Sequence, residues 1–374
     1  MASSNLFKPL SIGNITLKHR LALAPLTRFR ASDEHVPLPI MTDYYKQRGS
    51  VSGTLLVTEG TIISPQDGGY ENVPGIWSAD QISAWRKVTD AVHKNGSYIF
   101  VQLSSLGRVA APDVAAKQGI SILGPDTIPA TEDSPKPQRL SIAQIQQKKE
   151  AYVMAAKNAI AAGFDGVELH GANGYIIDQF LQDVSNQRDD EYGGSNENRS
   201  RFAVEVASAV AQAVGPERTG IRLSPWNDFN SMKMADPVPQ FSDVISKLDR
   251  LNLAYLHLVR SRFSDNVNFE DTESLDFAYK IWKGPLLIAG GFNPETAKKL
   301  VDEEYPDRKI VVVFGRHFIS SPDLPYRVQN GLELAKYDRN TFYSAKNPVG
   351  YTDYPFSEEF INSKEGQAIK TVCG

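Results

Sequence analysis

Eight short apolar segments recur along the 374-residue chain, and helical patterns separate most of them. The segments are near-continuous runs of aliphatic and β-branched residues, which is typical of parallel strands that are buried on both faces. They cover residues 21–24, 55–58, 98–101, 166–169, 220–223, 255–258, 285–288 and 310–314. This pattern predicts an α/β protein whose parallel sheet is covered by helices on both sides.

The number of predicted strands favours a closed (β/α)₈ TIM barrel, in which strands and helices alternate. Apolar residues have helical spacing over residues 141–162, ended by Gly163, and over residues 196–214, ended by Gly215. An open, doubly wound sheet is the alternative. It is disfavoured because no Gly-x-Gly-x-x-Gly motif follows the first strand and no Gly-x-x-x-x-Gly-Lys motif is present.

We expect residues 1–374 to form a single domain, since no linker, internal repeat or low-complexity segment divides them. Two regions exceed the minimal barrel repeat. Residues 108–140, rich in Pro, Ala, Asp and Ser, are expected to form a long loop over the top of the barrel. Residues 337–374 are expected to form a C-terminal extension that packs several aromatic side chains.

Composition excludes several classes of partner and site. A net charge of −4 and a pI near 5.9 provide no general attraction to nucleic acid or to anionic lipid. A single cysteine, Cys373, rules out a disulfide within the chain and a cysteine-rich zinc site, and the six histidines lack metal-ligand spacing. No signal peptide or membrane-spanning run is visible, so we expect a cytoplasmic protein. We also expect a monomer or a homodimer, and no bound metal.

The residues that follow the predicted strands indicate where chemistry could occur, because active sites of such barrels lie at the carboxyl ends of the strands. These residues are polar and rich in hydrogen-bond donors, and they show neither a Ser–His–acid order nor close paired carboxylates, which disfavours hydrolysis by those routes. They include Pro25, Leu26, Thr27, Gly60, Gln102, Ser104, His170, Asn173, Arg222, Gly290, Gly291, Gly315 and Arg316.

The segment His170-Gly171-Ala172-Asn173-Gly174-Tyr175 directly follows the fourth apolar run. The side chains of His170 and Asn173 are neutral donors that could together bind one substrate oxygen, and the phenol of Tyr175 could supply a proton. The structural alternative is a hydrogen-bonded strand-end histidine and a half-buried core tyrosine.

Two further groups suggest an anionic ligand. Gly290-Gly291 and Gly315-Arg316 follow the last two strands, where backbone N–H groups and a guanidinium often hold a phosphate; tight turns are the alternative. Arg222 lies inside the fifth apolar run, where a buried cation needs an anion. That anion is either a carboxylate of a neighbouring strand, Glu168 or Glu59, or a cofactor that becomes anionic when it is reduced.

Nearly end to end, the sequence resembles the old yellow enzyme family of flavin-dependent ene-reductases, and its late motifs resemble the yeast, fungal and plant branch. The matching motifs are residues 6–10, 21–28, 69–70, 74–77, 170–175, 190–195, 197–199, 222–225, 315–316, 338–343 and 350–355. The resemblance implies noncovalently bound FMN at the top of the barrel, with NAD(P)H, and NADPH in preference to NADH, as the reductant. It assigns FMN binding to Pro25, Leu26, Thr27, Gly60, Gln102, Arg222, Gly290, Gly291, Gly315 and Arg316.

The resemblance also implies a reaction, the reduction of the activated C=C bond of α,β-unsaturated ketones or aldehydes. His170 and Asn173 would hold the carbonyl oxygen, hydride would pass from reduced FMN to the β-carbon, and Tyr175 would protonate the α-carbon. A flavin-dependent isomerase or cyclase of a fungal biosynthetic pathway, without net redox, is an alternative. A noncatalytic flavin- or phenol-binding protein and a flavin-free barrel aldolase or isomerase are two others.

Further positions match substrate-contacting aromatic residues of the family, namely Tyr70, Phe229 and Tyr343, although each could instead pack in a core. One position departs from the family pattern: Ser104 stands where relatives commonly carry tryptophan. We expect the smaller side chain to enlarge one side of the pocket, so that bulkier or differently oriented enones are accepted.

Overall fold

A computed structural model describes residues 4–260 and 273–372 of the chain. Its strands are β1 Leu10–Ile12, β2 Ile15–Leu17, β3 Leu21–Leu23, β4 Leu55–Ile62, β5 Tyr98–Ser104, β6 Leu123–Gly124, β7 Gln138–Arg139, β8 Gly166–Gly171, β9 Thr219–Leu223, β10 Tyr255–Val259, β11 Leu286–Ala289 and β12 Ile310–Phe314. Eight of them close into a parallel barrel in the order β10-β11-β12-β3-β4-β5-β8-β9. The predicted TIM barrel is therefore confirmed, and each of the eight apolar runs forms one of its strands.

The barrel alternates with helices along the chain. They are α1 Pro39–Arg48, α2 Ala79–Lys94, α3 Pro112–Gln118, α4 Ile142–Ala161, α5 Ile176–Leu181, α6 Asn196–Val214, α7 Pro237–Asp249, α8 Asp276–Ile281, α9 Pro294–Lys299, α10 Arg316–Ser320, α11 Leu324–Asn330, α12 Glu358–Asn362 and α13 Lys364–Val372. The two predicted helices are confirmed as α4 and α6. A capping box at Ser141 and Gln144 begins α4, because each side chain satisfies a free backbone N–H of the other residue.

Within the barrel, large aromatic side chains lie opposite glycines. The rings of Phe100 and Tyr255 lie 5.5 Å apart. A Cβ on Gly220 would come within 2.5 Å of the Tyr255 ring, and a Cβ on Gly166 would overlap the Phe100 ring. These glycines leave the space that the two rings occupy, which is how the barrel interior reaches close packing.

An antiparallel hairpin of β1 and β2, which the sequence analysis did not identify, precedes the barrel. Its buried side chains, Leu10, Ile12, Ile15 and Leu17, share one hydrophobic cluster with the interior of the barrel. The hairpin was missed because each strand has only three residues, too few to establish an alternating pattern.

The two predicted additions to the barrel carry defined structure. Residues 108–140 contain α3 and the parallel pair of β6 and β7, so the expected loop is partly regular. Arg28 and Arg30 bind backbone carbonyls of the C-terminal extension, including those of Phe342 and Gly350. That the whole chain is one domain stays a prediction. No helix in the described ranges is both long enough and apolar enough to cross a membrane.

Candidate active site

The register of the barrel sets predicted site residues beside one another. Gly60 pairs with Gln102 between β4 and β5, and His170 pairs with Arg222 between β8 and β9. A Cβ on Gly60 would lie 3.5 Å from the Cβ of Ser104 and 3.6 Å from Oε1 of Gln102. Residues from four separate strands therefore meet at the carboxyl end of the barrel, where the sequence analysis expected the site.

His170 is buried, with 4% of its surface exposed, at the end of β8. Burial lowers the pKa of its imidazole well below the ordinary value, and the positive charge of Arg222 and the nearby His257 lower this pKa further. The ring is therefore neutral at physiological pH. Its Nδ1 has no hydrogen-bond partner among the described residues, so the predicted alternative of a hydrogen-bonded structural histidine is not supported at this atom.

Asn173 adopts a left-handed backbone conformation, φ 58°, which asparagine tolerates better than most residues. Its backbone N–H donates to Ser224 Oγ at 2.8 Å, and its carbonyl oxygen accepts from Asn230 Nδ2 at 2.9 Å. Its side-chain Oδ1 accepts from Asn227 Nδ2. Because the side-chain oxygen faces Asn227, the Nδ2 donors are directed elsewhere, and the residue offers a ligand donors rather than an acceptor.

Tyr175 lies beside His170, with ring centroids 4.6 Å apart. It forms a hydrogen bond with Tyr70, and both rings pack against a small apolar cluster that includes Leu106. Burial raises the pKa of the Tyr175 phenol far above its ordinary value, and Tyr70 raises it further. The phenol therefore keeps its proton until a strong base, such as a carbanionic carbon, takes it.

Two of the predicted substrate-contacting aromatics are exposed, Phe229 by 57% and Tyr343 by 66% of their surface. Core packing therefore does not explain them. Tyr70 is partly buried, and Phe29 contacts both Tyr70 and Tyr343, at centroid distances of 6.3 and 5.8 Å. Phe29 and Tyr70 pack in the same apolar cluster as Tyr175. Phe29 is an addition to the predicted set; it directly follows the motif of residues 21–28.

Beneath these residues lies a buried polar network. Glu168 accepts a hydrogen bond from Gln102 Nε2 at 2.8 Å and contacts His257 Nδ1, also at 2.8 Å. The charge of Arg222 acts on Glu168, which agrees with the proposed carboxylate partner. The other candidate, Glu59, instead contacts Arg28 and Tyr45. Glu168 and His257 were not among the predicted site residues. Both are polar residues within apolar strands, with an aliphatic residue on either side in the sequence.

The ends of β11 and β12 carry the predicted phosphate residues. Gly290 and Gly291 have φ values of 154° and 75°, and a Cβ on Gly291 would meet no atom of residues 4–260 or 273–372 within 4 Å. Gly315 caps α10, and Arg316 lies over the Tyr337 ring at 5.5 Å. Among the described residues the space beside Gly291 is free, so its backbone N–H can be approached by an anion. With the guanidinium of Arg316 on the neighbouring strand end, the residues present fit the phosphate of FMN.

Arg260 adds a second guanidinium near Gly290. Its side-chain stem passes where a Cβ of Gly290 would lie, within 2.6 Å, and its guanidinium lies 5.4 Å from the Phe292 ring. Arg260 directly follows β10, the sixth barrel strand along the chain, and this place at a strand end is the sequence signal that marks it. Across the described residues there is no group of His, Cys, Asp and Glu side chains suited to a metal ion.

Comparisons with known proteins show which family this chain resembles in sequence and in fold. The sequence model of the NADH:flavin oxidoreductase / NADH oxidase family matches residues 5–335. Chanoclavine-I aldehyde reductase fgaOx3 of Penicillium roqueforti (strain FM164) is 52% identical over 98% of this chain and 100% of its own length. NADP-dependent oxidoreductase lnbE of Aspergillus flavus is 49% identical over 96% of this chain and 98% of its own. The crystal structure of old yellow enzyme from Pichia sp. AKU4542 matches with a TM-score of 0.89 and 39% identity, covering 96% of this chain and 95% of that one.

Proposed function

The chain belongs to the NADH:flavin oxidoreductase / NADH oxidase family and is an oxidoreductase of the old yellow enzyme type, and from this premise we propose that it reduces the activated C=C bond of α,β-unsaturated carbonyl compounds. The observation that carries the proposal is the arrangement of donors beside a phenol. His170 Nδ1 is buried and has no hydrogen-bond partner in the described part of the chain, Asn173 offers its amide donors, and Tyr175 lies against His170.

FMN supplies the hydride chemistry when it is bound. We assign its ring to Pro25, Leu26, Thr27, Gly60, Gln102 and Arg222, and its phosphate to Gly290, Gly291, Gly315 and Arg316. The positive charge of Arg222, held inside the barrel, favours an anionic reduced cofactor over a neutral oxidised one. As far as the described residues show, the space beside Gly291 leaves room for a phosphate to approach its N–H.

His170 and Asn173 hold the carbonyl oxygen of the substrate. Both side chains are neutral donors, so they bind a neutral carbonyl and gain strength as negative charge develops on its oxygen. The depressed pKa of His170, caused first by burial, keeps the ring from binding as a cation. Two fixed donors on one oxygen also orient the alkene, because they leave the carbonyl little freedom to rotate.

Tyr175 donates the proton to the α-carbon. Its phenol is held between His170 and Tyr70, and its raised pKa, caused first by burial, means that the tyrosinate formed is quickly reprotonated. The aromatic residues Tyr70, Phe229 and Tyr343 line the space for the apolar part of the substrate. Ser104 leaves space on the side of Gly60. The name of the relative fgaOx3 indicates an aldehyde as one substrate class to test first.

We infer NADPH as the reductant, which the name of the relative lnbE supports. The test of the function uses the absorption spectrum of the purified protein. We expect the bands of oxidised flavin, bleached by one equivalent of NADPH without oxygen and restored by cyclohexenone with formation of cyclohexanone. A colourless protein that binds no FMN, or an enone converted without consumption of NADPH, would contradict the proposal.

A further inference from the structure

Glu168 is a fully buried carboxylate, 0% exposed, in the network beneath the proposed cofactor site. Its Oε1 accepts from Gln102 Nε2 at 2.8 Å and its Oε2 lies 2.8 Å from His257 Nδ1. The proposed binding of FMN and of the substrate assigns no task to Glu168. A buried carboxylate is costly unless its partners compensate it, so its position directly under two proposed FMN ligands needs an explanation.

The partners of Glu168 favour its charged form. Burial alone would raise the pKa of this carboxyl, but His257, Arg222 and the hydrogen bond from Gln102 outweigh burial, so the pKa lies below its ordinary value. An ionised carboxylate only accepts hydrogen bonds. Glu168 therefore requires the NH₂ end of the Gln102 amide, and Gln102 has no freedom to present its amide in the opposite sense.

This orientation decides what Gln102 offers to a ligand. With Nε2 bound to Glu168, the opposite end of the amide is the acceptor Oε1, which lies 3.6 Å from the place of a Gly60 Cβ. Gly60 and Gln102 also pair in the barrel register, so Oε1 lies beside the β4 end that bounds the proposed site. An acceptor at this point selects an N–H donor, and the oxidised flavin ring carries one such group, between two carbonyls.

We propose that Glu168 is a positioning residue of the cofactor site, which holds Gln102 as an acceptor for the flavin N–H and lowers the midpoint potential of FMN by placing a negative charge beside Arg222. The inference rests on the proposed placement of FMN over Gln102 and Arg222. The two effects have one origin: the same carboxylate that orients the amide also offsets part of the positive charge that would stabilise an anionic reduced flavin.

The test replaces Glu168 by glutamine, which preserves shape but removes the charge. We expect the midpoint potential of bound FMN in Glu168→Gln to rise relative to wild type, measured anaerobically against a reference dye. We also expect apoprotein to bind FMN roughly tenfold more weakly by quenching of flavin fluorescence, the loss that corresponds to one hydrogen bond between neutral groups, here the flavin N–H and Gln102 Oε1. Neither measurement uses an enone.

Two further variants keep the result interpretable. Asp323→Asn removes a different fully buried carboxylate, which pairs with Arg327 outside the barrel at the start of α11, and should leave the potential unchanged. Glu168→Asp keeps the charge, but its shorter side chain cannot contact Gln102 as well. This variant should bind FMN more weakly, while the midpoint potential of the bound FMN stays near the wild-type value. It also tests the orientation of Gln102 if the glutamine variant fails to fold.

A merely structural role would weaken FMN binding or lower the melting temperature without raising the potential. An unchanged or lower midpoint potential in Glu168→Gln would therefore overturn the inference. Wild-type FMN affinity in Glu168→Asp would show that Glu168 does not orient Gln102. A wild-type protein that takes up no FMN would instead count against the proposed function.

Discussion

Neighbouring residues fix the orientation of Asn173 and the position of Tyr175. Three asparagines take part around the turn: Asn227 occupies the side-chain oxygen of Asn173, and Asn230 binds its backbone oxygen. Tyr175 begins α5 as its cap residue, and the next N–H, of Ile176, donates to the carbonyl of Ser105 at 3.1 Å. The phenol is thus carried on a short helix whose start is fixed to the end of β5.

The role of Tyr175 predicts a separation of the two half-reactions. In Tyr175→Phe we expect enone reduction to slow by roughly 10²-fold or more, because general-acid assistance of that size is lost. Reduction of the flavin by NADPH should remain within about twofold of wild type, since hydride delivery to the flavin needs no phenol. Stopped-flow absorbance of each half-reaction measures both rates.

Tyr98→Phe is the matched control, because Tyr98 begins β5 at the opposite end of the strand that carries Gln102. It should leave both half-reactions unchanged. If Tyr175→Phe slows both half-reactions equally, the phenol shapes the site rather than donating a proton.

At the scale of elements, short segments outside the barrel strands complete the molecule at both ends. The β1–β2 hairpin shares the interior cluster of the barrel, and the C-terminal extension is held by Arg28 and Arg30. Tyr351 of this extension stacks on Tyr44 of α1 at 4.2 Å. The exposed Tyr343 is therefore carried by a segment with a well-anchored backbone rather than by a free tail.

The hairpin turn depends on Gly13. This residue has a positive φ of 52°, and a Cβ placed on it would overlap the backbone oxygen of Glu217. Gly119 also has a positive φ, 68°, but a Cβ there would meet none of the residues that the structure describes within 4 Å. Left-handed backbone costs a residue with a side chain roughly 1–2 kcal/mol, and overpacking adds roughly 1–3 kcal/mol.

We therefore expect Gly13→Ala to lower the free energy of unfolding by at least about 1 kcal/mol more than Gly119→Ala. Urea-induced unfolding of both variants, followed by circular dichroism at equal FMN concentration, measures the difference. Equal losses of unfolding free energy in the two variants would show that the backbone near Glu217 accommodates the added methyl group without a loss of stability.

At the scale of the whole molecule, buried histidines make stability depend on pH. Burial lowers the pKa of His19 from 6.5 to about 4. The hydroxyl of Thr54 donates to Val51, so it accepts from His19 Nε2, while Nδ1 accepts from the N–H of Leu21. Both ring nitrogens are thus satisfied in the neutral ring, and protonation would break the bond from Leu21.

Because the folded pKa of His19 is lower than the unfolded one, the unfolded chain takes up a proton first as the pH falls. Stability from the neutral ring is complete above the unfolded pKa and is lost as the pH falls from 6.5 towards 4. We expect the stability of wild type relative to His19→Gln to fall by about 2 kcal/mol between pH 7.5 and pH 5. Urea titrations across this pH range measure it.

His93 offers the opposite control. Its hydrogen bond to Asp165 raises the pKa of its ring, so the stability of wild type relative to His93→Gln should grow as the pH falls; the effect is small because the pair is partly exposed. Parallel stability curves for wild type and His19→Gln would contradict the assignment of a neutral, buried His19.

The barrel and the list of strand-end residues could be predicted from the sequence, because both depend on local patterns. Buried parallel strands are continuous apolar runs, and alternation with helices brings all their carboxyl ends to one face. His170, Asn173, Tyr175 and Arg222 could therefore be assigned to one end of the molecule from their places in the chain alone.

Only the tertiary structure decided which partners surround the site residues and which of their atoms face a ligand. Gln102 and Glu168 are 66 residues apart, Glu168 and His257 are 89 apart, and Arg28 binds Phe342 across 314 residues. Such contacts depend on the lateral register of strands and on the direction of each side chain, which no local period encodes. The sequence determined which groups reach the top of the barrel; the folded barrel decided which are charged, which atom each presents, and which partner holds it.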